Sequence, residues 1–189
     1  MRILTSALLS LALLSLLLVV PAGAASLAGV NLPDKTDVKE QSLVLNGIAL
    51  RTKYLIKVYV AGLYLPQKEK SAAKILAADS TRQQVMHFLY GVSKAQMCDA
   101  WNDGLALNTP NASAEVKKAF TTLCSWMEAI PKGNKLVLTY LPGEGTQVQV
   151  NGEQKGMLRG KATADAILST WIGPKPDPGQ DFKKALLGQ

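Results

Sequence analysis

Alternation of apolar and polar residues predicts that β-strands form the centre of this chain. The longest such run extends from Leu43 to Pro66 and is dense in Val, Ile, Leu and Tyr, the residue types that favour a pleated, half-buried surface. Within this run, a strand that ends at Leu45 and the turn dipeptide Asn46-Gly47 predict a hairpin. The second strand of that hairpin is expected to extend from Ile48 to Leu65.

An arginine, Arg51, lies inside this apolar run and needs a physical reason. Because side chains alternate between the two faces of a strand, Arg51 and Tyr59 share a face if the strand is unbroken. That arrangement places a guanidinium on the same side of the sheet as a phenol. The pattern also allows a plainer interpretation, in which Arg51 lies at a sheet edge beside an acidic residue while Lys53 and Lys57 are solvated.

The rest of the chain divides into short segments bounded by cap and turn residues. The predicted helices are Ser71 to Ala78, a segment that starts with the capping box Ser93 to Gln96, a segment capped by Ser113, Thr163 to Ile172, and a tail helix around Phe182, Ala185 and Leu186. The predicted strands are Gln84 to Tyr90 and a meander of Leu136 to Leu141, Thr146 to Val150 and a run toward Leu158, while Asn31 to Asp37 is interpreted as a polar lead-in. This order indicates an α+β domain with a mainly antiparallel sheet and helices packed on one face.

The first residues have the layout of a secretory signal peptide. Arg2 precedes an apolar run from Ile3 to Val20, and the small residues after it include Ala24 and Ala25, so we expect export and cleavage after one of these alanines. An uncleaved membrane anchor is the alternative, because about 18 apolar residues can just cross a bilayer. The expected organisation is a signal peptide at 1–24 and a single periplasmic or secreted domain at 25–189, without a stable membrane span.

Composition narrows the classes of function. The chain has 21 Lys and Arg against 14 Asp and Glu, a formal net charge of +7, but the basic residues are spread along the chain and do not alternate with exposed aromatic residues. This distribution favours mild attraction to anionic ligands or surfaces and argues against a nucleic-acid partner. The sequence has no motif for nucleotide phosphates, dinucleotides, nucleophilic hydrolases or zinc proteases, so we expect no cofactor.

Two cysteines, Cys98 and Cys124, lie in the two consecutive helical segments in the middle of the chain. An oxidising compartment favours a disulfide between them, worth on the order of 3 kcal/mol by loop-closure arguments. Two buried free thiols are the alternative. We expect no metal site, because the chain has no CxxC motif and His87 is the single histidine, within an apolar strand.

Segments along most of the chain resemble the chalcone isomerase family, in particular its exported bacterial branch. The resemblance rests on Leu45-Asn46-Gly47, Arg51 and the run from Lys57 to Leu65, with support from Ser93 to Leu105, Ala166 to Pro174 and Leu186 to Gly188. It implies an open-faced β-sandwich, in which helices cover one side of a large antiparallel sheet and a ligand cleft lies between the layers. It also implies that Arg51 matches the family arginine, which in plant isomerases helps to stabilise the anionic state while a chalcone closes to a flavanone.

The sequence departs from the isomerases at the other polar positions of their site. Tyr59 stands where the catalytic branch has a threonine, and Lys94 and Trp101 fall roughly where a tyrosine and an asparagine are expected. The pair of Arg51 and Tyr59 instead resembles the fatty-acid-binding members of the family, where such a pair holds a carboxylate head group while the tail lies in an apolar cleft. The chemistry is reasonable, because a guanidinium forks onto a carboxylate and a phenol adds a further donor.

We therefore expect a non-catalytic protein that binds a small amphipathic carboxylate, such as a fatty acid, through Arg51 and Tyr59. One alternative is an isomerase of the chalcone-flavanone type that acts on a phenolic ligand, with Arg51 as electrostatic stabiliser and Tyr59 as proton donor. The other alternative is an envelope interaction protein without a small ligand.

Overall fold

Seven strands form one antiparallel sheet in the computed structural model of the protein, which describes residues 23–189. A two-stranded hairpin, β1 (Ala24–Leu27) and β2 (Val30–Pro33), precedes the sheet strands β3 (Lys35–Val38), β4 (Gln41–Lys53), β5 (Ile56–Leu65), β6 (Arg82–Phe88), β7 (Lys135–Leu141), β8 (Gly145–Val150) and β9 (Glu153–Leu158). Each sheet strand pairs with the next one along the chain. The α+β fold class and the C-terminal meander are confirmed.

The helices begin where the sequence places capping residues. They are α1 (Ala72–Ala77), α2 (Lys94–Asn108), α3 (Ala114–Trp126), α4 (Lys161–Ile172) and α5 (Gln180–Leu186). The hydroxyls of Ser71, Ser93 and Ser113 each accept a hydrogen bond from a backbone N–H of the first turn, and Gln96 completes the capping box. These serines therefore set the starts of α1, α2 and α3, and the predicted helices are confirmed within two residues at their first positions.

The predicted hairpin at Asn46-Gly47 is wrong. These two residues lie inside the long strand β4, where they form a bulge, and the chain reverses instead at Tyr54 and Leu55. The strand that the sequence predicted as unbroken from Ile48 to Leu65 is thus two strands. Arg51 and Tyr59 still share a face, but they do so as directly opposed partners on β4 and β5.

Helix α5 explains why an asparagine and a glycine stand in the middle of a strand. The side-chain amide of Asn46 donates to the backbone carbonyl of Leu186 at 2.9 Å, and a Cβ atom on Gly47 would lie only 2.2 Å from the carbonyl oxygen of Ala185. The missing side chain permits close approach of two backbones, which is a second use of glycine in strands besides turns. Helix α5 therefore packs directly on β4 at this bulge, beyond the part of β4 that pairs with β3.

The two faces of the sheet are covered differently. The helices cover one face and form the main core with it, centred on residues such as Phe88, Trp101 and Phe120. The β1–β2 hairpin covers part of the other face, where Leu32 is buried beside Val60. The predicted polar lead-in at Asn31 to Asp37 is therefore wrong, because alternation over only a few residues hid the two short strands β2 and β3.

A disulfide joins Cys98 of α2 to Cys124 of α3, with the two Cα atoms 5.2 Å apart. It ties together the two helices of the central pair, as the sequence predicted. Helix α2 also packs closely on α4 at Gly104. A Cβ atom at this position would lie only 2.6 Å from Cγ2 of Thr170, so the missing side chain permits the approach. The disulfide and this close approach together fix α2 above the sheet.

The predicted signal peptide, residues 1–24, lies outside the described residues except at its last two positions. Among residues 23–189, none of the helices combines the length and the apolar character that crossing a bilayer requires.

Candidate functional site

A cavity of about 340 Å³ lies between the sheet and the helices α2 and α4. Its wall is mostly apolar and includes Val58, Met86, Phe88, Met97, Trp101 and Trp171. The charged and hydroxyl-bearing groups that line it include Arg51, Tyr59, Thr170 and Asp177. An apolar wall with a few polar groups is the usual composition of a small-molecule site.

Arg51 reaches the cavity from β4 and is held by the connection between α4 and α5. One terminal nitrogen of its guanidinium donates to the backbone carbonyl of Asp177 at 2.9 Å, and the other lies 2.8 Å from the Asp177 carboxylate. The Arg51 side chain is 13% exposed and that of Asp177 is 29% exposed. These two bonds fix the guanidinium plane and leave three of its five N–H groups for other acceptors.

Tyr59 lies opposite Arg51 on β5 and is almost fully buried. Its hydroxyl oxygen accepts a hydrogen bond from the indole N–H of Trp171 at 3.0 Å. The ring packs against Phe88 and edge-on against Phe182, with centroids 5.5 and 6.0 Å away. Because the bond from Trp171 uses a lone pair of the hydroxyl, the hydroxyl proton of Tyr59 remains available to a ligand acceptor.

Burial raises the pKa of Tyr59 well above its ordinary value, against the smaller opposing effects of the Trp171 hydrogen bond and the Arg51 charge. The phenol is therefore neutral at all physiological pH values and acts as a hydrogen-bond donor. Release of its proton is unfavourable, because the phenolate would lose hydration in the apolar wall. These properties suit a recognition group better than an acid or base that must change its protonation state.

Trp101 lies in the cavity wall and carries a buried donor. Its side chain is 2% exposed, and it stacks edge-on against Trp171 with ring centroids 5.1 Å apart. Its indole N–H has no hydrogen-bond partner within residues 23–189. A buried N–H without a partner is costly, and a ligand acceptor in the cavity would remove that cost if it reached the indole nitrogen.

The rim of the cavity is made of exposed residues with two different characters. The β4–β5 turn contributes Lys53, Tyr54 and Ile56, while the outer face of α2 contributes Asp99 and Asp103. One side of the opening is thus apolar and basic, and the other side is acidic.

Residues 23–189 contain no group of three or more His, Cys, Asp and Glu side chains that could hold a metal ion. The histidine, His87, lies on β6 outside the cavity wall, where burial and the nearby charge of Lys135 lower its pKa. The chemistry that the cavity offers therefore comes from guanidinium, phenol, indole and carboxylate groups.

Sequence reasoning found part of this site. Arg51 and Tyr59 are brought together at the cavity wall, and Trp101 lies in the wall as well. Lys94 does not line the cavity. Its ammonium group donates to the backbone carbonyl of Ser125 at 2.9 Å, on the outside of α2.

Two residues that organise the site were missed as site residues, Asp177 and Trp171. Asp177 follows Pro174 and Pro176 in a connector that reads as a solvated loop, and its contact with Arg51 spans 126 residues. Trp171 was placed on the apolar side of a helix, where its ring belongs, but nothing local indicates which acceptor its N–H meets. One sequence signal does point to Asp177. An arginine inside an apolar run, as Arg51 is, requires an acidic partner elsewhere in the chain.

Comparisons with known proteins agree with the geometry. A model of the family described as chalcone isomerase-like matches residues 24–188. The crystal structure of a fatty-acid binding protein from Arabidopsis thaliana is similar in structure, with a TM-score of 0.69, 19% sequence identity, and coverage of 87% of this chain and 96% of that chain. None of the curated proteins matches the sequence. At this identity the structural likeness shows a shared fold.

Proposed function

Because the chain belongs to the chalcone isomerase-like family, we propose that it is a non-catalytic protein that binds a small amphipathic carboxylate, such as a fatty acid, in the cavity between the sheet and α2. The observation that carries this proposal is the position of Arg51 and Tyr59 at one apolar cavity. They are cross-strand partners, and both line the same 340 Å³ space. A guanidinium and a neutral phenol are two donors that a carboxylate head group can accept from at once.

The apolar wall supplies the second half of the recognition. Burial of alkyl chain contributes about 0.8 kcal/mol per methylene, and Met86, Phe88 and Met97 offer the surface for it. The cavity volume of 340 Å³ lies near the lower end of the range for ligand sites, which is roughly 300–1,000 Å³. A medium-length chain therefore suits the cavity, and a longer chain would extend toward the rim.

Asp177 limits the strength of this recognition. Its carboxylate already neutralises Arg51 in part, so a ligand carboxylate must share the guanidinium with it or displace it. Because three N–H groups of Arg51 remain free of these two bonds, sharing is possible at a cost in repulsion between two carboxylates. Such a site favours reversible binding over very tight retention.

The high pKa of Tyr59 supports binding over catalysis. An isomerase that used Tyr59 as a proton donor would have to form its phenolate in an apolar wall, which burial strongly disfavours. A binding protein needs only the neutral donor, and that is the form present.

The test uses two probes of equal chain length, decanoate and decanol, in isothermal titration calorimetry. Arg51→Gln removes the charge and is expected to weaken decanoate binding by about ten- to hundred-fold, the usual loss for a hydrogen bond to a charged group. Decanol binding should change by less than about two-fold, since the apolar wall is intact.

Lys53→Gln is the matched control, because it removes a cation from the exposed rim of the same cavity. Its effect on decanoate should stay below about three-fold, as expected for a solvated charge. Unchanged decanoate binding in Arg51→Gln would refute the assignment of the head-group site, and absence of binding of both probes to the unaltered protein would refute the proposal as a whole.

We also propose that the protein is exported to the periplasm or secreted. The disulfide between Cys98 and Cys124 supports this, since such bonds form and persist in oxidising compartments. Mass spectrometry of the protein recovered from the cell envelope and the medium checks it, and a mature mass that still includes Met1 would contradict signal cleavage.

A further inference from the structure

The tip of the β4–β5 hairpin is the most exposed apolar feature among residues 23–189. The tip consists of Tyr54, Leu55 and Ile56, which are 88%, 97% and 42% exposed. Large apolar side chains in this state contribute nothing to the core. They cost hydration free energy in water, and their grouping at one point of the surface is the pattern of an interaction site.

The backbone of the tip is unfavourable for the residues that occupy it. Tyr54 and Leu55 have φ angles of +48° and +67°, and a two-residue hairpin turn of this kind is normally built from Asn and Gly. Tyrosine and leucine in the left-handed region destabilise the turn. The two residues at the tip are therefore poor choices for folding, and a role in binding explains both their exposure and their conformation.

The charges next to the tip indicate what it binds. Lys53 and Lys57 flank it and are exposed, and the Nζ atom of Lys53 lies 6.0 Å from the centre of the Tyr54 ring. An apolar tip with a tyrosine and two flanking lysines matches the surface of an anionic bilayer, where aromatic rings sit at the head groups and cations meet lipid phosphates. The excess of Lys and Arg over Asp and Glu along the chain adds a general attraction to such a surface.

The tip is continuous with the cavity. Tyr54 and Ile56 line the cavity rim as well as forming the tip, and Tyr90, which is 53% exposed, lines the cavity too. The other charged groups of the rim, Asp99 and Asp103 on α2, are acidic. Repulsion of these two carboxylates from anionic lipid would keep the α2 side away, so that only the hairpin side of the opening touches the bilayer.

We propose that the β4–β5 hairpin tip inserts into the head-group region of an anionic lipid bilayer and brings the cavity opening to the membrane surface. In this position an amphipathic molecule passes between bilayer and cavity along an apolar path formed by Tyr54 and Ile56. The membrane contact itself does not depend on the identity of the ligand.

The test is sedimentation of the exported form of the protein with lipid vesicles. The vesicles are phosphatidylcholine with about one anionic phosphatidylglycerol in three lipids. Leu55→Gly is the decisive variant, because it removes the tip side chain and fits the positive φ angle. It should be at least as thermally stable as the unaltered protein and yet bind these vesicles at least ten-fold more weakly. Lys53→Glu with Lys57→Glu should weaken binding at low salt by several hundred-fold, since each lysine contributes about five-fold and each new glutamate adds a repulsion of similar size.

Leu107→Gln is the matched control, because Leu107 is an exposed leucine, 46% accessible, that lies on α2 outside the cavity wall. It should bind vesicles like the unaltered protein. Equal vesicle binding by Leu55→Gly, or no binding by the unaltered protein, would overturn the proposal. Loss of a dimer in Leu55→Gly, measured by analytical ultracentrifugation without any vesicle binding, would assign the tip to a second copy of this chain instead.

The two proposals fail independently. Arg51→Gln should lose decanoate affinity and keep its vesicle binding, because Arg51 is largely buried. Leu55→Gly should keep decanoate affinity in vesicle-free solution, because Leu55 does not line the cavity. If Leu55→Gly lost both, the tip would be part of the ligand site and the membrane proposal would be wrong.

Discussion

Two arginines of the sheet have nearly the same set of neighbours. Arg51 lies opposite Tyr59 on the adjacent strand, and Arg82 lies opposite Tyr140. Each arginine forms an ion pair with an aspartate in or near α4. Arg51 pairs with Asp177, which follows the last turn of α4, and Arg82 pairs at 2.5 Å with Asp165, which lies within α4. The two pairs attach both ends of α4 to the sheet.

The space around the two arginines differs. Arg82 is 4% exposed, stacks on the Tyr140 ring at 4.8 Å and donates to the carbonyl of Ile75, and the cavity beside it measures only about 20 Å³. Arg51 borders a cavity of about 340 Å³, and within residues 23–189 its guanidinium hydrogen bonds go to Asp177. Burial and an ion pair are therefore common to both arginines, and the open apolar volume beside Arg51 separates them.

The largest expected effect is on stability at the Arg82 pair. Arg82→Ala removes a side chain that is 4% exposed and leaves an unfilled space beside the Tyr140 ring, and truncation of a large buried side chain costs about 2–5 kcal/mol. Urea unfolding followed by circular dichroism measures this loss. Arg51→Ala should cost roughly 1–2 kcal/mol, because Arg51 borders the open cavity and its removal leaves no closed void.

Equal losses of stability in the two alanine variants would remove the distinction between the pairs. Arg82→Lys is the control for charge, because it retains the cation without the planar fork. It should recover part of the loss, and full recovery would show that the stacking on Tyr140 contributes little.

A smaller effect of opposite sign is expected at the aspartates. Asp177→Asn removes the carboxylate that competes for Arg51, so decanoate affinity should rise by about five-fold, equivalent to roughly 1 kcal/mol. Asp165→Asn should leave decanoate affinity unchanged, because it lies at the other arginine. Calorimetric titration of both variants checks the pair. Weaker decanoate binding in Asp177→Asn would mean that Asp177 serves mainly to position the guanidinium.

The last expected effect is confined to high pH and concerns Tyr140. Burial, together with a hydrogen bond to Asp79, raises the pKa of Tyr140 to about 12. Since the pKa is about 10 in the unfolded chain, this tyrosine stabilises the fold fully below pH 10, and the contribution is lost as the pH rises toward 12. The free energy of unfolding should thus fall over this range, and it should fall less steeply in Tyr140→Phe. Identical slopes in urea unfolding at several alkaline pH values would contradict this.

Much of the fold follows from local sequence signals. Three serine caps and the Gly-containing turns of the meander are decided by residues close in sequence, so α1 to α3 and β7 to β9 were predicted from the pattern. The hairpin was misplaced because Asn46-Gly47 is the stronger turn signal, whereas Tyr54 and Leu55 are residues that turns disfavour. The contact that explains Gly47 is the packing of α5 on β4. Its neighbour Asn46 bonds to Leu186 of that helix, which is 140 residues away in the sequence.

The candidate site was predictable where a residue contradicts its surroundings. Arg51 interrupts an apolar run and was noticed for that reason, whereas Arg82 follows the polar segment Asp79 to Thr81 and reads as part of a loop. The predicted strand began at Gln84, after Arg82, so its burial was missed. The plainer interpretation of Arg51 was also correct in one respect, since the arginine is paired with an acidic residue. Which arginine borders open space depends on the packing of α2 and α4, and no local pattern encodes that.

The docking of α5 on β4 has a consequence for biogenesis. A ribosome releases a chain from its N-terminus, so β4 emerges long before α5, which packs on it at Asn46 and Gly47. Throughout that interval the longest strand of the protein lacks the packing that Phe182 and Leu186 of α5 supply to the core, and its apolar residues are open to other chains. The vulnerable period for aggregation therefore ends only when α5 has been released, and a truncation that removes α5 makes that period permanent.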